Sequence, residues 1–162
     1  MKRSYSHTDT KEEAFRTFED LEVYRKARDF RKAMYGITRK LPNFEKYELA
    51  SQIRRAAVSL TNNIAEGHGR FHYLEQLKFL FQSRGSLQEL IDDLNVCDDE
   101  RYLPESEAGA LREQAREVQR LIAGYARYLR DRKFGSSLRV QENFNEEESL
   151  SGLDFLFNDS PI

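Results

Sequence analysis

The chain has 162 residues, of which 39% are hydrophobic and 33% are charged, with eight Gly, three Pro and one Cys. This length fits a single domain, and few Gly and Pro residues among many charges favour long helices over a sheet. The single cysteine, Cys97, excludes a disulfide framework and a Cys-rich metal site. We find no apolar run near the roughly 20 residues of a membrane span and no signal-peptide pattern, and therefore expect a cytoplasmic protein.

The formal net charge of −2 hides an asymmetry along the chain. Residues 1–135 carry 25 Lys and Arg against 22 Asp and Glu, which gives a net charge of +3. Residues 136–162 carry one basic residue and six acids, which gives −5. Because residues 1–135 are net positive by themselves, the overall charge does not argue against nucleic-acid binding by the body.

The first predicted element follows a polar, aperiodic stretch, residues 1–16, which we expect to be a flexible arm. Regular spacing begins near Phe18. The spacing between successive apolar residues then alternates between four and three positions, through Val23, Ala27, Phe30, Met34, Ile37 and Leu41. This spacing places them on one helix face. Pro42 and Asn43 predict the end of this helix.

A second helix is predicted to start near Glu45. Its apolar stripe consists of Leu49, Ile53, Ala57, Leu60 and Ile64. We expect it to end at Gly67-His68-Gly69, because glycine tolerates the left-handed conformation that often closes a helix.

A third helix is predicted from about Phe71 to Glu100. Its stripe consists of Tyr73, Leu77, Leu80, Leu87, Ile91 and Leu94, and further apolar residues such as Phe79 and Leu90 lie outside it. Two apolar sides predict packing against two helices, or against one helix and another subunit. Gly85 in mid-helix costs about 1 kcal/mol relative to Ala, which predicts the close approach of another helix. We interpret Asp92 and Asp93 as part of a solvated face.

A fourth helix is predicted after Pro104. Its stripe consists of Leu111, Ala115, Val118, Ile122, Tyr125 and Leu129, and Gly135-Ser136-Ser137 ends the regular region. Four such helices with short links predict an all-α fold, an antiparallel up-down four-helix bundle over residues 17–135. The acidic tail, residues 136–162, suits a disordered segment. Its apolar residues Leu153, Phe155, Leu156 and Phe157 favour docking on a partner, and a merely solvated terminus is the alternative.

Catalytic and metal chemistry find little support in the residue pattern. His68 and His72 lie four apart, but glycines flank the first and no obvious third ligand accompanies them. Cys97 is interpreted as a core thiol. We therefore predict a protein that is not an enzyme and that has no cofactor, metal or small-molecule substrate.

The basic residues of the second and third helices suggest a different function. They are Arg54, Arg55, Arg70, Lys78 and Arg84. Repeated cations attract a phosphate backbone, so we predict backbone contacts rather than base reading. The alternative for the nearby polar residues is structural: Glu66 pairs with Arg70, and Asn63 binds a neighbouring backbone group.

Several motifs fall in an order that resembles a known family. They lie at residues 18–24, 51–60, 63–67, 69–70 and 85–90 and include Asn63, Glu66, Gly67, Gly69 and Gly85. The chain resembles, over residues 18–133, the bacterial four-helix bundle family of ribosomal RNA intervening-sequence proteins and of the accessory variability proteins of diversity-generating retroelements. The resemblance implies a ring-shaped homopentamer with a non-enzymatic, nucleic-acid-associated role, in the retroelement case beside a reverse transcriptase.

Two hypotheses remain open at this point. In one, an oligomeric accessory protein binds the backbone of RNA or DNA and a nucleic-acid-processing partner. In the other, the bundle is a protein–protein adaptor whose acidic tail docks on a partner or on the basic face of its own bundle.

Overall fold

A computed structural model of the chain describes residues 17–136, and for residues 132–136 the backbone alone. The predicted arm and the tail from residue 137 onward, with its Leu and Phe residues, lie outside the described residues. The described part folds into four α-helices without a strand. They are α1 (Glu22–Thr38), α2 (Leu49–His68), α3 (Tyr73–Asp99) and α4 (Glu105–Ser136). Short 3₁₀ turns, Phe18–Asp20 and Asn43–Lys46, precede α1 and α2.

The helices form the predicted antiparallel up-down bundle. Each packs on its neighbour in the sequence, and α1 closes the bundle against α4. Two ion pairs across this last contact show the opposed directions of α1 and α4. Lys26 lies 2.9 Å from Glu117, and Lys40, two residues beyond the end of α1, lies 2.6 Å from Glu107 in the first turn of α4. With short links between successive helices, the chain therefore runs up and down the bundle.

The predicted stripes form the core. Every stripe residue of α1 and α2 is buried, as are those of α4 except the half-buried Tyr125. In α3, Tyr73 and Ile91 are half-buried, whereas Leu90, outside the stripe, is fully buried. Because α3 packs on both α2 and α4, the two apolar sides predicted for it are explained by two neighbouring helices.

The helix boundaries correct two predictions. Residues 43–46 form a 3₁₀ turn, so α2 begins at Leu49 rather than near Glu45. α2 ends at His68 as predicted, but Gly69 has a φ of −77° and no described glycine adopts a positive φ. The expected left-handed glycine closure of α2 was therefore wrong.

Gly67 instead permits close contact between α2 and α3. A Cβ atom on Gly67 would lie 3.0 Å from the Phe79 Cβ and 3.2 Å from the Gln76 carbonyl oxygen. Since one of these neighbours is helix backbone, relief would require the two helices to separate. Glycine is required here by packing, not by its backbone conformation.

Two buried serines extend the α2–α3 contact. The Ser83 hydroxyl donates to the Leu60 carbonyl at 2.7 Å, and the Ser86 hydroxyl donates to Ser59 Oγ at 2.8 Å. Gly85, which lies between them, is exposed and a Cβ there would meet nothing within 4 Å. The prediction that another helix approaches Gly85 was therefore wrong, because the close approach occurs at the flanking serines.

Asp93 corrects the interpretation of a solvated acidic pair. Asp92 is exposed, but Asp93 is only 6% exposed, and its Oδ2 accepts no hydrogen bond within the described part of the protein. Burial raises the pKa of Asp93 from 3.8 to about 6, with smaller contributions from the negative charges of Glu89 and Asp92. A charged Asp93 carboxylate therefore destabilises the folded state at neutral pH.

We expect Gly67→Ala to lower the free energy of unfolding by about 1–2 kcal/mol, because the added methyl group overpacks the α2–α3 contact. The matched change Gly85→Ala should raise it by about 0.5–1 kcal/mol, since alanine is the better helix former and nothing obstructs its methyl group. Urea unfolding followed by circular dichroism measures both. Equal effects of the two substitutions would contradict the packing role of Gly67.

We expect Asp93→Asn to raise the free energy of unfolding at pH 7 by about 1–3 kcal/mol. A raised carboxyl pKa means that the folded state binds the proton more tightly than the unfolded state. The stability that this proton contributes is complete below about pH 4 and is lost as the pH rises through about 6. Urea titrations from pH 4 to pH 7 should show this loss in the wild type and in Asp92→Asn, the exposed control, but not in Asp93→Asn. Parallel profiles for all three proteins would refute it.

Candidate nucleic-acid interface

The outer face of α2 carries an open groove of about 510 Å³. We call it the α2 groove; it is lined by Tyr35, Ser51, Arg54, Arg55, Val58, Ser59, Asn62 and Asn63. The lining combines two guanidinium groups with hydroxyl and amide groups and includes no carboxylate. Its position follows from the amphipathic pattern of α2, because the apolar stripe turns toward the core and leaves these polar positions outward.

Two of the predicted basic residues meet in the groove. Arg54 is half-buried, and its Nη2 donates to the Lys46 carbonyl at 3.1 Å. Arg55 is exposed, and its Nη1 donates to Ser51 Oγ at 2.8 Å. Each of these contacts engages one nitrogen of a guanidinium group that carries five N–H donors, so both side chains retain donors for a ligand.

The amide residues differ from each other. Asn63 Nδ2 donates to the Ser59 carbonyl at 2.9 Å and also lies 3.1 Å from Ser59 Oγ, which agrees with the predicted structural role. Asn62 is exposed on the same face. Asn62 is therefore an exposed lining residue of the groove, whereas Asn63 is hydrogen-bonded back to Ser59.

Arg70 lies away from the groove. It is 15 positions beyond Arg55, or roughly 20 Å along the direction of α2. Its Nη2 lies 2.5 Å from Glu66 Oε1, and its guanidinium lies 4.8 Å from the centre of the Phe79 ring. The predicted Glu66–Arg70 pair is thus confirmed, and Arg70 lies over the ring of Phe79, the residue whose Cβ faces Gly67.

The remaining predicted cations belong to α3. Lys78 is exposed and Arg84 is half-buried, and neither lines the groove. The structure therefore brings together Arg54 and Arg55 from the predicted set of five and separates them from the other three.

Sequence reasoning missed the apolar part of the groove. Tyr35 and Val58 are half-buried residues that lie outside the apolar stripes of their helices. An aromatic residue on the polar side of α1 was the available signal for Tyr35. Tyr35 and Val58 together give the groove a small apolar surface among its polar lining residues.

A family comparison bears directly on this surface. The model of the 23S rRNA-intervening sequence protein matches residues 19–124, about two thirds of the chain. The chain belongs to the 23S rRNA-intervening sequence protein family. Comparison with curated proteins gives no match.

The match to the 23S rRNA-intervening sequence protein spans the whole α2 groove. It covers α1, α2 and α3 completely and α4 as far as Gly124. The C-terminal acidic segment lies beyond the matched residues. The groove thus belongs to the part of the chain that the family model describes, whereas the tail has to be judged on its own residues.

Reactive groups elsewhere in the described part of this 23S rRNA-intervening sequence protein family member are scattered or buried. Across residues 17–131, no three His, Cys, Asp or Glu side chains form a group that could hold a metal ion. Cys97 is a buried free thiol, and burial raises its pKa to about 11, with a further contribution from Asp93. Within the described helices, none is long and apolar enough to cross a membrane.

Proposed function

We propose that this member of the 23S rRNA-intervening sequence protein family is a non-enzymatic accessory protein that binds nucleic-acid backbone in the α2 groove. The observation that carries this proposal is the lining of the groove, in which Arg54 and Arg55 accompany serine and asparagine groups without a carboxylate. Arginine, serine and asparagine are common sources of phosphate contacts in nucleic-acid complexes.

Electrostatics support the same proposal. Residues 1–135 carry a net charge of +3, so the net charge of −2 for the whole chain does not describe the groove. Two guanidinium groups beside neutral donors attract an anion locally. The absence of acids from the lining avoids the repulsion that a carboxylate would impose on a phosphate.

The family match supports RNA as the nucleic acid, since the description of the family names an intervening sequence of 23S rRNA. A ring-shaped homopentamer and a processing partner such as a reverse transcriptase are further proposals that rest on the resemblance alone. In a ring, five copies of the groove would add their contacts, and modest contacts in each copy would suffice for binding.

We expect the double charge reversal Arg54→Glu with Arg55→Glu to weaken RNA binding by roughly tenfold or more at low salt, because two phosphate contacts become repulsive. Filter binding across a salt series measures the affinity and its salt dependence. The slope of log affinity against log salt should become shallower by about one unit for each phosphate that the variant no longer neutralises.

The matched control is Arg120→Glu with Arg127→Glu, which makes the same charge change at exposed positions of α4. α4 packs on α1 and α3 and so lies across the bundle from α2. Arg55→Glu alone leaves the Arg54–Lys46 hydrogen bond in place and separates binding from folding. The proposal fails if the wild type does not bind RNA at low salt, or if groove and control variants lose affinity equally.

The acidic tail favours a second candidate function, docking of residues 136–162 on a partner or on the basic groove of the same chain. The observation behind it is a net charge of −5 combined with clustered Leu and Phe. The carboxylates of residues 146–148 would then contact the groove arginines in place of the phosphates of a nucleic acid.

If the tail covers the groove, truncation after Gly135 should raise RNA affinity several-fold at low salt, because a competing anion is removed. Replacement of Glu146, Glu147 and Glu148 by Gln in the full chain should give part of the same gain without a deletion. Filter binding compares the three proteins. Unchanged affinity in both variants would rule out the covering role and leave docking on a separate protein.

A further inference from the structure

The turn before α2 exposes two aromatic rings. Phe44 lies within the 3₁₀ turn Asn43–Lys46 and is 71% exposed, and Tyr47 follows it and is 77% exposed. Because these rings are exposed in the isolated chain, they do not contribute the favourable free energy that burial of an aromatic side chain provides. Neither belongs to an apolar stripe, and neither is part of the buried core of the bundle.

This turn is joined to the α2 groove by Arg54. The guanidinium of Arg54 donates to the Lys46 carbonyl, which belongs to the peptide bond between Lys46 and Tyr47. The Lys46 ammonium lies 5.2 Å from the centre of the Tyr47 ring. The turn and the α2 groove therefore adjoin at Arg54, which lines the groove and binds the turn.

The inner side of the turn is fixed by contacts with neighbouring elements. The Phe44 ring meets Tyr102 edge-on, with centroids 6.4 Å apart. The Tyr102 hydroxyl donates to Glu45 Oε1 at 2.9 Å, and the Leu49 amide donates to Glu45 Oε2 at 3.2 Å. Partial burial and the Glu45 contact raise the pKa of Tyr102 to about 12, because the hydroxyl donates to a carboxylate.

These contacts also determine the charge of the surface. Glu45 is held inward by two hydrogen bonds, and Glu48 is the exposed acid of this segment. Lys46, Arg54 and Arg55 against Glu45 and Glu48 leave a net charge of +1. The aromatic rings thus face solvent beside a net positive surface.

Exposed rings next to cations favour one kind of ligand. Nucleobases stack on aromatic side chains when their faces are accessible, as they are in a single strand, whereas a duplex keeps them stacked on each other. Cations that follow the backbone complete such a site. An acidic protein partner would use the cations but would not require flat aromatic surfaces.

We propose that the Phe44–Tyr47 turn and the α2 groove form one binding site for a single strand of nucleic acid. Bases stack on Phe44 and Tyr47, and the adjoining phosphates contact Arg54 and Arg55. This inference rests on the proposed function of the groove and adds the class of ligand. It also extends the prediction of backbone contacts alone, because the exposure of these rings is visible only in the folded chain.

The test compares an oligouridylate with an RNA duplex of the same length, by fluorescence anisotropy at low salt with the full-length protein. Tyr47→Ala and Phe44→Ala should each weaken oligouridylate binding by about tenfold, because each removes a stacking surface. Duplex affinity should change by less than about twofold, and the salt dependence should stay the same because no charge is removed.

Two controls separate stacking from folding. Phe71→Ala removes a ring that is 99% exposed beyond the opposite end of α2 and should leave oligouridylate affinity unchanged. Tyr47→Phe keeps the ring without the hydroxyl and should bind oligouridylate like the wild type. Circular dichroism of Phe44→Ala checks that the helices stay intact when the ring that meets Tyr102 is removed.

The outcomes distinguish this inference from the proposed function. Wild-type oligouridylate affinity in Tyr47→Ala and Phe44→Ala, with Arg55→Glu still impaired, would overturn the stacking site and leave the groove as a phosphate site. An equal loss of affinity for duplex and single strand would also overturn it. Failure of the wild type to bind either RNA would overturn both proposals.

Discussion

The close contact between α2 and α3 is the constraint on which the described structure depends. Gly67 lets the helix backbones approach at one end, and farther along the seam Ser83 and Ser86 donate hydrogen bonds to α2. Apolar packing alone is non-directional, whereas these hydrogen bonds fix the lengthwise register of the two helices. With one side of α2 fixed against α3 and the core, its polar residues are left on the outer face, where the groove forms.

The fold could be predicted from the sequence because burial repeats with the period of a helix. The stripes from Val23 to Leu41 and from Leu111 to Leu129 record which side of each helix leaves water. Periodicity does not report local backbone geometry, which explains the misplaced start of α2. The residue type alone did not predict the role of each glycine. Gly67 permits a close contact between two helices, whereas Gly85 faces solvent. Gly69 follows the end of α2 with ordinary right-handed backbone angles.

The candidate site was less predictable because it depends on positions across different elements. Arg54 and Arg55 are adjacent in sequence and both line the groove, whereas Arg70 forms an ion pair with Glu66 at the end of α2. Tyr35 lines the groove from α1, and the residue pattern of α2 alone could not predict this contribution from another helix. Asp93 shows the converse: it lies three positions after the buried Leu90 and four before the buried Cys97, so the helical period places it inward although its residue type favours solvent.

The up-down topology has a consequence for the direction in which the groove is approached. α4 finishes at the end of the bundle where α1 begins, since Tyr125 and Leu21 line the same cleft, while the Phe44–Tyr47 turn lies at the other end. The α2 groove runs between these two ends, with Ser51 nearer the turn and Asn62 and Asn63 nearer the end where α1 begins. A strand stacked on the turn would therefore enter the groove at Ser51 and follow α2 toward Asn62.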